Sequence, residues 1–296
     1  QNIDFALLVD GLAAEREQGI TIDVAYRFFT TDKRKFIVAD TPGHEQYTRN
    51  MATGASTADL AVLMIDARKG ILTQTKRHSF IVSLLGIKNI VLAINKLDLV
   101  DFNQEIFEQI NQEYREFASE LGFDEIVSIP ISALAGDNIL ENSENTPWYS
   151  GPTLMEHLET VEISSEQNDF FFRLPVQWVN RPNHEFRGFS GNISSGSVSV
   201  GDEIIALPSL RTSIVKSIIG TKGKKNSAET GEAITLCLVD EIDISRGDVI
   251  ANVNDRPEVT DQFQAHIIWM HDDDMLPGRP YLFKTTNKTI EGVITE

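Results

Sequence analysis

Four short apolar runs in the first half of the chain each stop at a polar cluster. They are residues 36–39, ending at Asp40; 60–65, ending at Asp66; 90–94, ending at Asn95; and 127–131, ending at Ser132. Each is too short for a helix and rich in Ile and Val, as strands buried on both faces are. Amphipathic stretches separate them. In residues 104–121, Phe107, Ile110, Tyr114, Phe117 and Leu121 recur at spacings of three and four, one face of a helix. Strands alternating with helices predict an α/β domain built on a doubly wound parallel sheet. The shared ending places all four clusters along the carboxyl edge of that sheet, where such folds bind ligands.

The pattern changes after a polar stretch at 164–169. Strand-like runs at 172–179, 198–206, 233–239 and 248–252 follow, separated by turns at Gly196, Gly201, Gly231 and Gly247, with no long helical period. This predicts a small β-barrel. A second junction at 255–261 leads to runs at 264–270 and 281–286, which start another β-domain. The expected domains are therefore 1–162, 170–256 and 262–296, and 296 residues are enough for more than one core.

Composition removes some partners. With 44 acidic and 26 basic residues the net charge is −18, which argues against a broad nucleic-acid surface. No run of about 18 apolar residues is present to cross a membrane, and no basic leader opens the sequence. The one cysteine, Cys237, lies in an apolar strand-like run and reads as a buried thiol; a reducing cytoplasm fits.

The polar clusters carry the chemistry. Asp40-Thr41-Pro42-Gly43-His44 reads as the γ-phosphate switch of a GTP-hydrolysing site. Asp40 can hold Mg²⁺ through water, the Gly43 N–H can meet a γ-phosphate oxygen, and His44 can orient the attacking water. Upstream, Thr21 follows Gly19 and Ile20, and its hydroxyl suits Mg²⁺ coordination in a segment that orders on GTP. In Asn95-Lys96-Leu97-Asp98, Asp98 can accept from the guanine N1–H and amine, Asn95 can bond the Hoogsteen edge, and the Lys96 stem can cover the ring. A carboxylate there rejects adenine. Ser132-Ala133-Leu134 is placed to supply a backbone N–H to guanine O6.

Other clusters read as ordinary surface. His271-Asp272-Asp273-Asp274 is a solvated turn, since four consecutive residues make a poor metal cage. Lys222, Lys224 and Lys225 form a solvated loop. Trp148 and Tyr149 pack the end of the first domain. Nothing matches the phosphate-cradling Gly-x-x-x-x-Gly-Lys-Ser/Thr loop.

Residues 14–28, 44–56, 179–183, 186–188 and 240–248 resemble the GTPase-subunit family of bacterial sulfate adenylyltransferases, within the translation-factor class of GTPases. The resemblance implies a P-loop GTPase fold whose phosphate loop would fall before Gln1, a β-barrel domain, and the start of a second barrel. It also implies a cytoplasmic hetero-oligomer with a small catalytic subunit. That subunit would join sulfate to the AMP part of ATP, an uphill reaction driven by GTP hydrolysis here. The barrel and the region around Trp148 are also similar to elongation factor 1-alpha, an aminoacyl-tRNA carrier, but the −18 charge speaks against tRNA binding. A non-hydrolysing scaffold is the third reading.

Overall fold

The computed structural model describes residues 21–163, 170–183, 186–271, 273–285 and 288–295. The chain divides into two compact units, Gln1–Ile163 and Ser164–Glu296. The run from Glu15 to Ile20, the 164–169 stretch and Asp272 lie outside the described residues.

Among the described residues of the first unit, a two-stranded ribbon comes first, β1 (Ala25–Thr30) and β2 (Lys35–Asp40). They pair antiparallel, with Ala25 opposite Asp40. Among the described residues, 36–39 pair with β1 and not with the parallel strands as expected. The cause is the turn between them: Thr31 N–H donates to Arg34 O at 2.9 Å, and Thr31 Oγ1 accepts from the Lys33 and Arg34 amides. So short a connection can only return the chain antiparallel. At the ribbon's tip the Arg34 guanidinium donates to Leu158 O and Val161 O, each at 2.9 Å, and Lys33 pairs with Glu159.

Helix α1 (Thr48–Ala55), strand β3 (Leu60–Asp66), helix α2 (Thr73–Leu84), strand β4 (Asn89–Asn95), helix α3 (Gln104–Ala118), strand β5 (Glu125–Pro130) and helix α4 (Leu154–Thr160) follow. The order β3-β4-β5 is fully parallel. The sequence of β4 explains its central place: residues from Ile90 to Ile94 are at most 1% exposed, so both faces are covered. Val91, Ala93, Ile129 and Ile131 form one core layer. Asn103 caps α3 by accepting from Ile106 N–H, and the helix buries Phe107, Ile110, Tyr114 and Ala118 against the sheet. The α/β class with a parallel sheet holds; only β2 leaves it.

In the second unit β6 (Arg173–Pro175), β7 (Trp178–Asn180), β8 (Gly188–Asn192), β9 (Ser197–Ser199), β10 (Glu203–Leu207), β11 (Arg211–Gly220), β12 (Gly223–Lys225), β13 (Ser227–Glu229), β14 (Ala233–Leu238) and β15 (Val249–Asn252) form antiparallel pairs. The main sheet runs β6-β15-β10-β11-β14-β8-β7. Its two ends are one stretch of chain. Val176 N–H bonds Asp248 O on the β15 side, and Gln177 N–H bonds Ser190 O on the β8 side. The single run expected at 172–179 is therefore a corner that closes the barrel, and it splits there. Leu174, Ile218, Leu236 and Ile250, all fully buried, fill the interior. Cys237 is buried in β14, opposite Ser217.

Beyond the barrel, β16 (Pro280–Lys284) and β17 (Thr289–Val293) make a hairpin. Residues 264–270 carry no strand pairing among the described residues, against expectation. Ile267 and Trp269 are exposed there, with Trp269 packing edge-on to Tyr281 at 5.6 Å.

Candidate functional site

The three parallel strands end level. Asp66 stands opposite Asn95, and Ile94 opposite Pro130. Asn95 joins the turns beyond them. Its Oδ1 accepts from Lys96 N–H at 2.7 Å and from Ala133 N–H at 3.0 Å, and its backbone oxygen accepts from Ala67 N–H. One residue thus ties together the chain beyond β3, β4 and β5. With Oδ1 so used, the Nδ2 group has no hydrogen-bond partner among the described residues and is able to donate.

Lys96 is left-handed at φ 62°, which swings the chain sharply into the short 3-10 turn Leu97–Val100. Leu97 is fully buried and its N–H meets Ile131 O, so the turn carrying half-buried Asp98 is plugged into the core. The far side is fixed too: Phe102 N–H bonds Leu97 O, and Trp148 Nε1 donates to Phe102 O at 3.2 Å. Trp148 and Tyr149 both pack on Phe107, giving those aromatics the structural role expected of them.

Ser132 is buried, and its Oγ and carbonyl accept from the Ala135 and Gly136 amides. The Ala133 N–H meets Asn95 here, while Ala133 and Leu134 are exposed over the same edge.

Sequence reasoning gave Asp66 only as the end of a strand. In the fold its carboxylate accepts from Lys96 Nζ at 3.1 Å and from Arg68 through Nε at 2.9 Å and Nη2 at 2.6 Å. The Arg68 hydrogen bonds, above all, and then Lys96 hold the Asp66 carboxyl well below the usual carboxylate range.

The residues expected to form the switch sit beyond β2. Pro42 is buried, and Gly43 is exposed with open space where a Cβ would stand, so nothing in the described protein crowds an approaching ligand. His44 precedes a 3-10 turn, and its Nδ1 accepts from Gln46 N–H at 3.3 Å. An accepting Nδ1 leaves the ring proton on Nε2, which suits the ring to orient water by donation. Asn50 on α1 donates to Ile22 O at 2.7 Å, holding the segment that carries Thr21 against the helix after His44. Asn50 was not foreseen, because a polar residue on a helix gives no sign of its distant partner.

The model of the elongation factor Tu GTP-binding domain matches residues 2–171. The chain belongs to that family. The chain is similar to sulfate adenylyltransferase subunit 1 of Cellvibrio japonicus, 59% identical over 294 residues, covering 99% of this chain and 62% of that protein. The same subunit of Teredinibacter turnerae is 58% identical over 296 residues, covering 63% of that protein. The bifunctional enzyme NodQ of Rhizobium sp. (strain N33) is 59% identical over 295 residues, of which it has 46% of its length matched. The chain thus spans less than two thirds of the length of each of these relatives. No helix among the described residues is long and apolar enough to cross a membrane.

Proposed function

We propose that this GTP-binding chain is the GTP-hydrolysing part of a sulfate adenylyltransferase large subunit. It couples GTP hydrolysis to formation of adenosine 5′-phosphosulfate and pyrophosphate from ATP and sulfate, acting with a small catalytic subunit in the cytoplasm. The observation that carries this is the 59% identity over 294 residues with a protein of that name. It rests on a site whose groups suit guanine: the Asp98 carboxylate to accept from the N1–H and amine, the Asn95 amide to bond the Hoogsteen edge, and the Lys96 stem to cover the ring face.

Magnesium fits the switch residues. Thr21 and Asp40 offer hard oxygen ligands, and no cluster of three or more His, Cys, Asp or Glu side chains able to hold a metal occurs among the described residues. Mg²⁺ is characteristically held by one or two protein oxygens together with substrate phosphates. When bound it would neutralise phosphate charge, while Gly43 N–H meets the γ-phosphate and His44 orients water.

The test is product accumulation by the full-length protein with its small partner. GTP should drive adenosine 5′-phosphosulfate past the level that ATP and sulfate reach alone, and only while GTP lasts. Equal product with and without GTP would remove the coupling. Salt-sensitive capture of charged tRNA would instead favour the elongation-factor reading.

A further inference from the structure

Lys96 is fixed at both ends. Its backbone is left-handed and donates to Asn95 Oδ1, and its ammonium lies 3.1 Å from Asp66 Oδ2. Exposed lysines ordinarily keep wide rotamer freedom. Here the Lys96 side chain is 47% exposed, whereas the Asp66 carboxylate that receives it is only 16% exposed. That carboxylate is itself immobilised. Arg68 grips it with Nε and Nη2, and the Arg68 backbone N–H also donates to Oδ1 at 3.0 Å. Four donors from two residues therefore converge on one acceptor at the end of β3. The strand register sets that acceptor directly opposite Asn95. Arg68 also feels the negative charge of Asp98, so the pair lies within the electrostatic reach of the base-reading carboxylate.

We propose that Asp66 is a positioning residue for the nucleotide site: backed by Arg68, it holds the Lys96 side chain extended so that its stem is preformed as the platform for the base. The proposal rests on the reading of Asn95, Lys96 and Asp98 as the guanine site. Asp66 touches no substrate and acts through Lys96. Without it the lysine must be ordered by the nucleotide itself, so affinity falls by the cost of that ordering.

A double-mutant cycle on the full-length protein, read by calorimetric GDP binding, decides it. Asp66→Asn should weaken GDP roughly tenfold, the scale of one charge-assisted hydrogen bond. Asp66→Glu, which keeps the carboxylate, should restore most of the affinity. In a Lys96→Met background the Asp66→Asn change should cost less than about twofold, because the group it positions is gone. Equal losses in both backgrounds, or no loss with lysine present, overturn the proposal while leaving the guanine site intact. A wild type that binds GDP no better than ADP overturns the guanine reading and this proposal with it.

Discussion

Ala133 N–H donates to Asn95 Oδ1 across 3.0 Å, joining the end of β4 to the loop after β5. The same oxygen accepts from Lys96 N–H, so removing it breaks two hydrogen bonds that tie exposed backbone together. Asn95→Ala should lower stability by about 1–3 kcal/mol even without nucleotide, the net worth of two such bonds. Denaturant unfolding of the nucleotide-free protein measures this. An Asn95→Ala protein as stable as the wild type would show that the bond does not hold the loop.

Asp98→Asn should weaken GTP by about 1.5–3 kcal/mol, the loss of charged-acceptor hydrogen bonds. The same variant should gain affinity for xanthosine triphosphate, whose base offers an acceptor where guanine offers an amine. Competition binding with GTP, ATP and xanthosine triphosphate reads out the switch. Unaltered preference would remove Asp98 from the base contact.

His44→Ala should leave GTP affinity nearly unchanged, because water orientation contributes mainly in the transition state. The hydrolysis rate should fall by roughly 10²–10⁴. Single-turnover hydrolysis separates the two quantities. With the small partner present, this variant should also lose the GTP-driven excess of product, and retention of that excess would uncouple hydrolysis from the reaction.

Gly54 on α1 lies where a Cβ would come within 2.5 Å of Thr41 Cγ2 and 3.3 Å of Val24 Cγ1. Thr41 is short and β-branched, so it cannot swing aside without moving the switch backbone. Gly54→Ala should cost about 1–3 kcal/mol by overpacking, and it should slow hydrolysis although the residue is remote from the nucleotide contacts. A stable variant with normal hydrolysis would mean that the helix shifts freely.

Burial, aided by the charge of Glu156, pushes the Tyr149 hydroxyl up to about 12. A phenol whose folded value lies above its free value near 10 favours folding in its neutral form. That contribution is complete below about pH 10 and is lost as pH climbs through about 12. Tyr149→Phe should therefore narrow the alkaline loss of stability over that window. Parallel denaturation curves at pH 9, 10 and 11 test it, and identical slopes for both proteins would contradict the assignment.

Local pattern made much of this fold readable. The three-and-four spacing of Phe107, Ile110 and Tyr114 marks α3, and the unbroken Ile90-to-Ile94 run marks a strand covered on both faces. Direction was not written in the runs. Residues 36–39 look like a parallel strand until the Thr31 turn is considered, and residues 264–270 look like a strand although they form none among the described residues. The residues we propose as base readers stood out because they follow a strand end in one short stretch. Asp66 and Asn50 were not, since their partners Lys96 and Ile22 lie about thirty residues away, where spacing carries no information.

The ribbon formed by β1 and β2 is six residues long on each side, about 20 Å at the rise of an extended strand. One end is Asp40, beside the switch, and the other is the turn at Arg34. The Arg34 fork grips two carbonyls at the carboxyl end of α4, where the helix dipole welcomes a cation. Mechanically the ribbon is a lever pinned at its tip. Any swing of the Asp40 end must either carry α4 along or break both guanidinium bonds at once. A displacement at the Asp40 end would therefore load the two bonds that Arg34 makes to that helix.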